Sequence, residues 1–214
     1  MSLYTLPEEL IPILIESLDR SSLFSLSWTC KLFESFQFGC IEYCDVCAED
    51  GNFELLKWSK KLGYPLTLDT FSNAALTGYL EMMIWLKENN CPWDFYVCSY
   101  AAKSGSLEAL QWLRSNGCPW DNATTTNAAE IGSLELLEWA FENGCTFGYH
   151  TASGAASNGH IHIVEWILGK TKSYLEGMFF GAISGGQLEV LKWLIENGYT
   201  TKWIYVIQPS CMVK

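Results

Sequence analysis

The feature that most constrains the fold of this 214-residue chain is an internal repeat with a period of 27 residues. Six glycines and six tryptophans recur at that spacing without a slip in register. The glycines are Gly51, Gly78, Gly105, Gly132, Gly159 and Gly186, and the tryptophans are Trp58, Trp85, Trp112, Trp139, Trp166 and Trp193. Because so short a unit cannot bury its apolar face alone, the repeat predicts units that stack on their neighbours into a solenoid.

The residues of each unit predict two short helices joined by a tight turn. Two columns of alanine indicate the first helix, since alanine favours the helix and lets two backbones approach closely. A glycine three residues later predicts a left-handed cap, and Ser106 and Ser133 are placed to cap the second helix. A glycine, or Asn90 at the same place, ends that second helix. The alanine columns are Ala74, Ala101, Ala128, Ala155 and Ala182, and Ala48, Ala75, Ala102, Ala129 and Ala156.

Residues 101–121 carry the unit as A-A-x-x-G-x-L-E-x-L-x-W-L-x-x-N-G-C-P-W-D. This pattern resembles the ankyrin repeat, shortened by about six residues between Asp121 and Thr126, where an ankyrin unit has its β-hairpin finger. The short form is similar to the ankyrin-type repeats abundant in large DNA viruses of amoebae and other protists. Leucine-rich repeats share the period but require an L-x-L strand and an asparagine ladder that this unit lacks. The resemblance implies an all-α, helix-turn-helix solenoid of six ankyrin-like repeats over residues 41–199.

The repeat pattern stops after Tyr199, and Val213 stands where a further glycine is due. Residues 200–214 include Trp203, Ile204 and Tyr205. Two alternatives stay open for this tail: it caps the last unit, or it is partly free.

The segment before the repeats does not share their period. It predicts a short apolar helix, a break at residues 19–22 and a second amphipathic helix. The segment begins L-P-E-E-L at 6–10 and ends T-C-K-L-F at 29–33, and it resembles the F-box motif over almost its whole length. The resemblance implies a helical module over residues 1–40 that binds the Skp-type adaptor subunit of a cullin-based ubiquitin ligase. The residues in contact would be Leu6, Pro7, Leu10, Leu14, Leu18, Leu23 and Leu26.

Charge and composition limit the partners and the compartment. Thirteen basic against twenty-four acidic side chains give a net charge of −11, with no basic run, which argues against nucleic acid and anionic membranes as partners. The first residues lack a secretion-signal pattern, and the apolar run at 10–15 is too short to span a bilayer. Nine cysteines therefore indicate reduced thiols, and we expect a cytoplasmic protein, in a host cytoplasm if it is viral.

The sequence offers no catalytic or metal-binding motif. Cys40, Cys44 and Cys47 share one helix face, but a closed zinc site needs a fourth ligand and none is close in sequence. His160 and His162 are expected at a solvated helix end, not as a ligand pair. The cysteines of the inter-unit turns are expected to pack structurally; they are Cys91, Cys118 and Cys145. We predict no cofactor, no metal and no enzymatic activity.

The predicted function is that of a monomeric protein-interaction adaptor, the substrate receptor of an SCF-type ubiquitin ligase. The F-box-like module would bind the Skp-type subunit, and the repeats would bind an unknown target protein. Specificity should lie where the units differ on the first helices, above all at tyrosines, which are enriched at interfaces. The candidate target-binding residues are Tyr96, Tyr100, Lys103, Asn127, Glu130 and His150. The alternative is an ankyrin-type scaffold without a ligase, whose N-terminal helices cap the solenoid.

Overall fold

The structure is a computed structural model that describes residues 43–61 and 63–200. The predicted F-box-like module, with its adaptor-binding residues, and the tail beyond residue 200 lie outside this range. Twelve helices are described: α1 (Tyr43–Glu49), α2 (Phe53–Lys61), α3 (Leu68–Thr77), α4 (Leu80–Glu88), α5 (Phe95–Lys103), α6 (Leu107–Ser115), α7 (Asn122–Glu130), α8 (Leu134–Glu142), α9 (Tyr149–Ser157), α10 (Ile161–Lys170), α11 (Leu175–Ser184) and α12 (Leu188–Glu196).

The all-α prediction is confirmed for this part of the chain, which contains no β-strand. None of the twelve helices is both long and apolar enough to cross a bilayer. The contacts divide the chain into two compact units, unit 1 up to Pro92 and unit 2 from Trp93.

The described residues of unit 1 form two helix pairs whose first helices, α1 and α3, lie side by side. Asp45 on α1 joins the pairs. Its carboxylate accepts hydrogen bonds from the hydroxyls of Thr67 and Thr70, and its carbonyl accepts one from the Asn73 amide at 3.0 Å. Thr67 also caps α3, since its hydroxyl accepts from the backbone N–H of Thr70 at 3.2 Å. The Thr67 hydroxyl thus both caps the start of α3 and binds Asp45 on the neighbouring helix α1.

In unit 2, residues 93–200 form four helix pairs. Their first helices pack in chain order, α5 on α7, α7 on α9 and α9 on α11, and each second helix packs on its own first helix. The second helices begin 27 residues apart, at Leu107, Leu134, Ile161 and Leu188. The repeat of the sequence is therefore a repeat of helix pairs.

The predicted caps are present at both ends of the helices. The hydroxyls of Ser106 and Ser133 accept from backbone N–H groups three residues on, at 3.2 and 3.4 Å. All six repeat glycines have positive φ, between 68° and 81°, and Asn90 has φ 57°. The helix pair α9–α10 departs from the pattern at Thr171, whose backbone is extended, so that α10 ends at Lys170 without a left-handed residue.

The cores of both units come from the predicted columns. The alanines at 74, 101, 128, 155 and 182 are fully buried, and so are those at 48, 75, 102, 129 and 156. Side chains without a γ-carbon let neighbouring first helices approach closely, while leucines and isoleucines of the second helices fill the remaining space. The largest of these fully buried side chains include Leu56, Leu86, Leu110, Leu113, Leu136, Leu137, Ile163 and Ile167.

Candidate functional site

A group of three rings on α5, the α5 aromatic cluster, consists of Phe95 and Tyr96, which are exposed, and Tyr100, which is half-buried. The ring centroids of Phe95 and Tyr96 lie 4.2 Å apart, and those of Tyr96 and Tyr100 lie 6.5 Å apart. Asp94 caps the helix just before them, accepting from the Tyr96 N–H at 2.9 Å. Tyr96 is half exposed, at 50%. A rigid helix therefore presents amphipathic rings to solvent, as interface hot spots do.

Three other predicted target-binding residues lie on the surface of the same unit. Lys103 is exposed at the last position of α5, and Glu130 is exposed at the last position of α7. His150 is exposed in the first turn of α9, where its ring meets Tyr149 edge to face at 5.7 Å. The structure thus places a second, smaller aromatic pair on α9.

Asn127 has a structural role in addition to its position at the surface. The residue is half-buried, and its side-chain amide donates to the backbone carbonyl of Ser99 on α5 at 2.8 Å. This hydrogen bond spans neighbouring first helices, so a substitution at Asn127 changes the packing of the unit as well as its surface.

The prediction of a solvated helix end agrees with the exposed side chain of His162 but needs correction for His160. His160 is half-buried, and its Nε2 lies 3.0 Å from the carbonyl oxygen of Glu130. The Nε2 of His162 lies 3.1 Å from the carbonyl oxygen of Gly132. Because a carbonyl only accepts, both Nε2 atoms carry the hydrogen in these contacts. The two side chains bind the preceding helix pair, a tertiary contact that the position at a helix start did not reveal.

The turn cysteines have the structural role that the sequence predicts. Each thiol donates to the carbonyl of the residue 24 positions before it, which caps the preceding first helix. The distances are 3.2 Å from Cys91 to Thr67, 3.5 Å from Cys118 to Asp94 and 3.1 Å from Cys145 to Asp121. Burial raises the pKa of Cys91 to about 12 and that of Cys145 to about 11. At neutral pH these thiols stay protonated and are poor nucleophiles.

Cys44 and Cys47 are also buried on α1. The Cys47 thiol lies 3.7 Å from the Ser59 hydroxyl, and burial raises the pKa of Cys44 to about 11 and that of Cys47 to about 12. A protonated thiol is a poor metal ligand. Residues 43–61 and 63–200 contain no group of three or more His, Cys, Asp or Glu side chains placed to hold a metal ion.

The turns between helix pairs carry a column of aromatic side chains at one repeat position, among them Trp93, Trp120 and Phe147. Two of them meet the tryptophan of the following second helix edge to face, Trp93 meeting Trp112 at 6.3 Å and Trp120 meeting Trp139 at 5.8 Å. Phe147 meets Trp166 in a tilted contact at 5.6 Å. Phe147 meets Tyr174 at 6.0 Å, also edge to face. Edge-to-face contact is favourable because the ring edge is positive and the face negative. The column is therefore a packing device and not a cage for a cofactor.

Most of the few cations of unit 2 contact rings. The Arg114 guanidinium lies 4.2 Å from the centroid of Trp120, Lys170 lies 5.4 Å from that of Trp166, and Lys172 lies 5.6 Å from that of Tyr199. Lys192 pairs with Glu189 at 2.8 Å. Residues 93–200 carry five basic and eleven acidic side chains, so the surface of unit 2 is strongly acidic.

Sequence reasoning missed seven exposed large apolar side chains among residues 93–200, and four of them bear on the surfaces described in this structure. Phe95 extends the tyrosines of α5, and Tyr149 stands beside His150; the other two, Phe180 and Ile183, lie on α11. The sequence did contain a signal for Ile183, since it occupies a position where the preceding units of the repeat have alanine. A large apolar residue in a column of small ones indicates that its environment differs from that of the other units.

The resemblances to the ankyrin repeat and to the F-box motif rest on the sequence motifs alone. No protein-family model matches the chain, and neither does any curated protein.

Proposed function

We propose that the chain is a protein-interaction adaptor, most specifically the substrate receptor of a cullin-based ubiquitin ligase. Residues 1–40 would bind the Skp-type subunit, and the helix pairs, stacked as a short ankyrin-like solenoid, would bind a target protein in the cytoplasm. The protein would carry out no bond chemistry, and would act by raising the concentration of the target near the ligase.

The observation that carries this proposal is the α5 aromatic cluster. Tyrosine and phenylalanine rings that stay exposed on a well-packed helix leave apolar area in water, which is unfavourable unless a partner covers it. Tyrosine combines large contact area with few rotatable bonds, and it is enriched among residues that dominate binding energy. The buried, protonated cysteines and the histidines bound to carbonyls give no support to an active site in the same unit.

The charge of unit 2 favours a target with basic groups. Residues 93–200 carry eleven carboxylates and only five cations, and three of those cations lie over aromatic rings. Arginine and lysine of a partner could pair with the carboxylates and stack on the exposed tyrosines. Binding should therefore weaken as the salt concentration rises, because screening reduces the attraction between exposed charges.

The target-binding half of the proposal is tested with the double variant Tyr96→Ala, Tyr100→Ala in the full chain. Proteins retained from host-cell extract by the wild type are quantified, and a bound target should be retained at least roughly tenfold less by the variant. The matched control is Gln111→Ala, Ser115→Ala, two exposed uncharged residues of α6, and it should retain the target. Equal retention by all three proteins would contradict the role of the cluster, and a collapsed melting transition in the double variant would show that the tyrosines belong to the core.

The ligase half is tested separately with a purified Skp-type subunit and the variant Leu10→Asp, Leu14→Asp. The wild type should bind the subunit and the variant should not, because a buried carboxylate without a partner is costly in an apolar interface. If both bind equally little, the ligase link is lost, and the scaffold alternative with an N-terminal helical cap is favoured.

A further inference from the structure

The last helix pair of unit 2 carries an exposed apolar face, the terminal face, formed by Phe180 and Ile183, which lie three residues apart on α11. Leu188 at the start of α12 is exposed as well. Their exposed fractions are 61%, 60% and 58%, above those of the other exposed large apolar side chains that the structure describes. Side chains of this size seldom lie together in water without a function, because contiguous apolar area is costly to hydrate.

Residues at the same repeat positions, a multiple of 27 residues away, show whether this face is buried in the earlier helix pairs. Ile183 is equivalent to three alanines that are fully buried, Ala102, Ala129 and Ala156. Phe180 is equivalent to Ser99 and Ser153, whose carbonyls contact the first helix of the next pair. In the earlier pairs this side is therefore covered by the following pair, whereas in the last pair none of the residues up to 200 buries it.

The next residues of the chain have the composition to cover it. Thr200 follows the last turn directly, and residues 203–207 are Trp-Ile-Tyr-Val-Ile, a run of five apolar side chains. By the 27-residue spacing this run stands where the next first helix would begin, with Ile207 equivalent to Phe180. Pro209 then falls in the alanine column, where its missing N–H and its ring disfavour a continuing helix.

We propose that residues 203–207 pack on the terminal face as an intramolecular cap of the helix array. Such an array needs a final element that is apolar on one side only, because its last unit would otherwise expose a surface built to be buried. The large side chains at 180 and 183 fit this role, since a short cap cannot approach as closely as a full helix pair and leaves more space to fill.

Hydrogen exchange of the full-length protein tests the cap directly. The amides of residues 203–207 should exchange at least roughly tenfold more slowly than those of 212–214, because packing and hydrogen bonding restrict their opening. In the variant Phe180→Ser, Ile183→Ser that protection should be lost. Unprotected amides at 203–207 in the wild type would overturn the proposal.

A double-mutant cycle tests whether the two segments contact each other. Trp203→Asp with Ile207→Asp should lower the melting temperature by roughly 4–8 °C, and should lower it much less when residues 180 and 183 are already serine. Val213→Asp, outside the run, is the matched control and should have little effect. Additive losses would contradict the contact. A mass that doubles with concentration and falls in the Phe180→Ser, Ile183→Ser variant would show that a second copy covers the face, and would also overturn the cap.

Discussion

Two junctions between first helices of unit 2 are built differently at the same repeat position. Between α5 and α7, the side chain of Asn127 donates to the carbonyl of Ser99 at 2.8 Å. Between α9 and α11, the equivalent residue is Gly181, and its backbone lies directly against the carbonyl of Ser153. One junction is joined by an amide side chain and the other by bare backbone, so this position decides how neighbouring first helices meet.

The glycine junction extends along the whole of α11. Gly177 lies against Tyr149, and Gly185, just after the helix, lies against the carbonyl of Ser157. Because these glycines are four residues apart, they form one strip on the helix face that meets α9. Glycine costs helix stability, about 1 kcal/mol relative to alanine, so we infer that close contact between the helices offsets that cost.

The largest effect is expected from adding one carbon to the glycine strip. Gly181→Ala would place a Cβ well inside van der Waals distance of the Ser153 carbonyl, and backbone cannot move away as a side chain can. We expect a loss of about 3 kcal/mol in the free energy of unfolding, measured by urea denaturation.

The matched control for this substitution is Gly169→Ala in α10, where a Cβ would meet nothing within 4 Å. It should stabilise the protein by up to about 1 kcal/mol through helix propensity alone. Similar effects at 169 and 181 would show that α9 and α11 are not in close contact.

A smaller effect is expected at the asparagine junction. Asn127→Ala removes the donor to Ser99 and leaves that carbonyl with one partner fewer, which should cost about 1–2 kcal/mol. Asn116→Ala is the control, because its amide bonds only within its own helix end, to Trp112 at 2.9 Å. If Asn116→Ala costs as much as Asn127→Ala, the hydrogen bond between α5 and α7 is not what joins them.

Alkaline pH should lower the stability of the two ends of unit 2 by different amounts. The turns before α7 and α9 carry the thiols Cys118 and Cys145, whereas the turn before α11 carries Lys172 at the same repeat position. The pKa of Cys145 is raised from 9.0 to about 11 in the folded protein by burial. The protonated Cys145 thiol therefore makes its full contribution to the free energy of unfolding below pH 9, and this contribution is lost as the pH rises from 9 through 11. At pH 10 it should already have fallen by about 1 kcal/mol.

This pH effect is measured by comparing the thermal stability of the wild type and of Cys145→Ala between pH 8 and pH 11. The wild type should lose more stability than the variant over this range. Parallel curves for the two proteins would contradict a raised thiol pKa.

The smallest effects concern two threonines at equivalent positions of α7 and α9, between the two junctions. The Thr151 hydroxyl accepts from the Gly148 N–H at 3.2 Å and lies 3.1 Å from that of Thr126. Among buried side-chain polar atoms of the described residues, only the Thr124 hydroxyl has no hydrogen-bond partner.

Valine has nearly the shape of threonine without the hydroxyl. Thr151→Val should therefore cost about 1 kcal/mol, whereas Thr124→Val should be neutral or stabilise the protein by up to about 1 kcal/mol. Calorimetric melting of the two single variants checks both signs, and a clear loss at 124 would mean that its hydroxyl is hydrogen-bonded.

The contrast between local and distant signals explains how much could be predicted from the sequence. Helix ends at Gly105, Gly132 and Ser106 follow from residues within one turn of the backbone, and the structure has them where the repeat indicates. The buried alanine columns follow from periodicity alone.

What could not be predicted depends on partners that lie 28 or more residues away. The amide of Asn127 and the ring of His160 both look like surface groups until the preceding pair is placed beside them. The candidate site was predictable in part for the same reason: tyrosine in a variable column indicated α5, but the exposure of Phe95 and Tyr96 depends on how the neighbouring helices pack.

The contacts that join successive pairs of unit 2 all reach back over a similar, short length of chain. The thiol of Cys145 reaches back 24 residues, the amide of Asn127 reaches back 28 and the ring of His160 reaches back 30. A polypeptide leaving the ribosome would therefore need only about one further repeat to complete each junction, and low contact order of this kind favours fast folding. Synthesis and folding can then advance together, one helix pair at a time, with little apolar surface waiting for a distant partner.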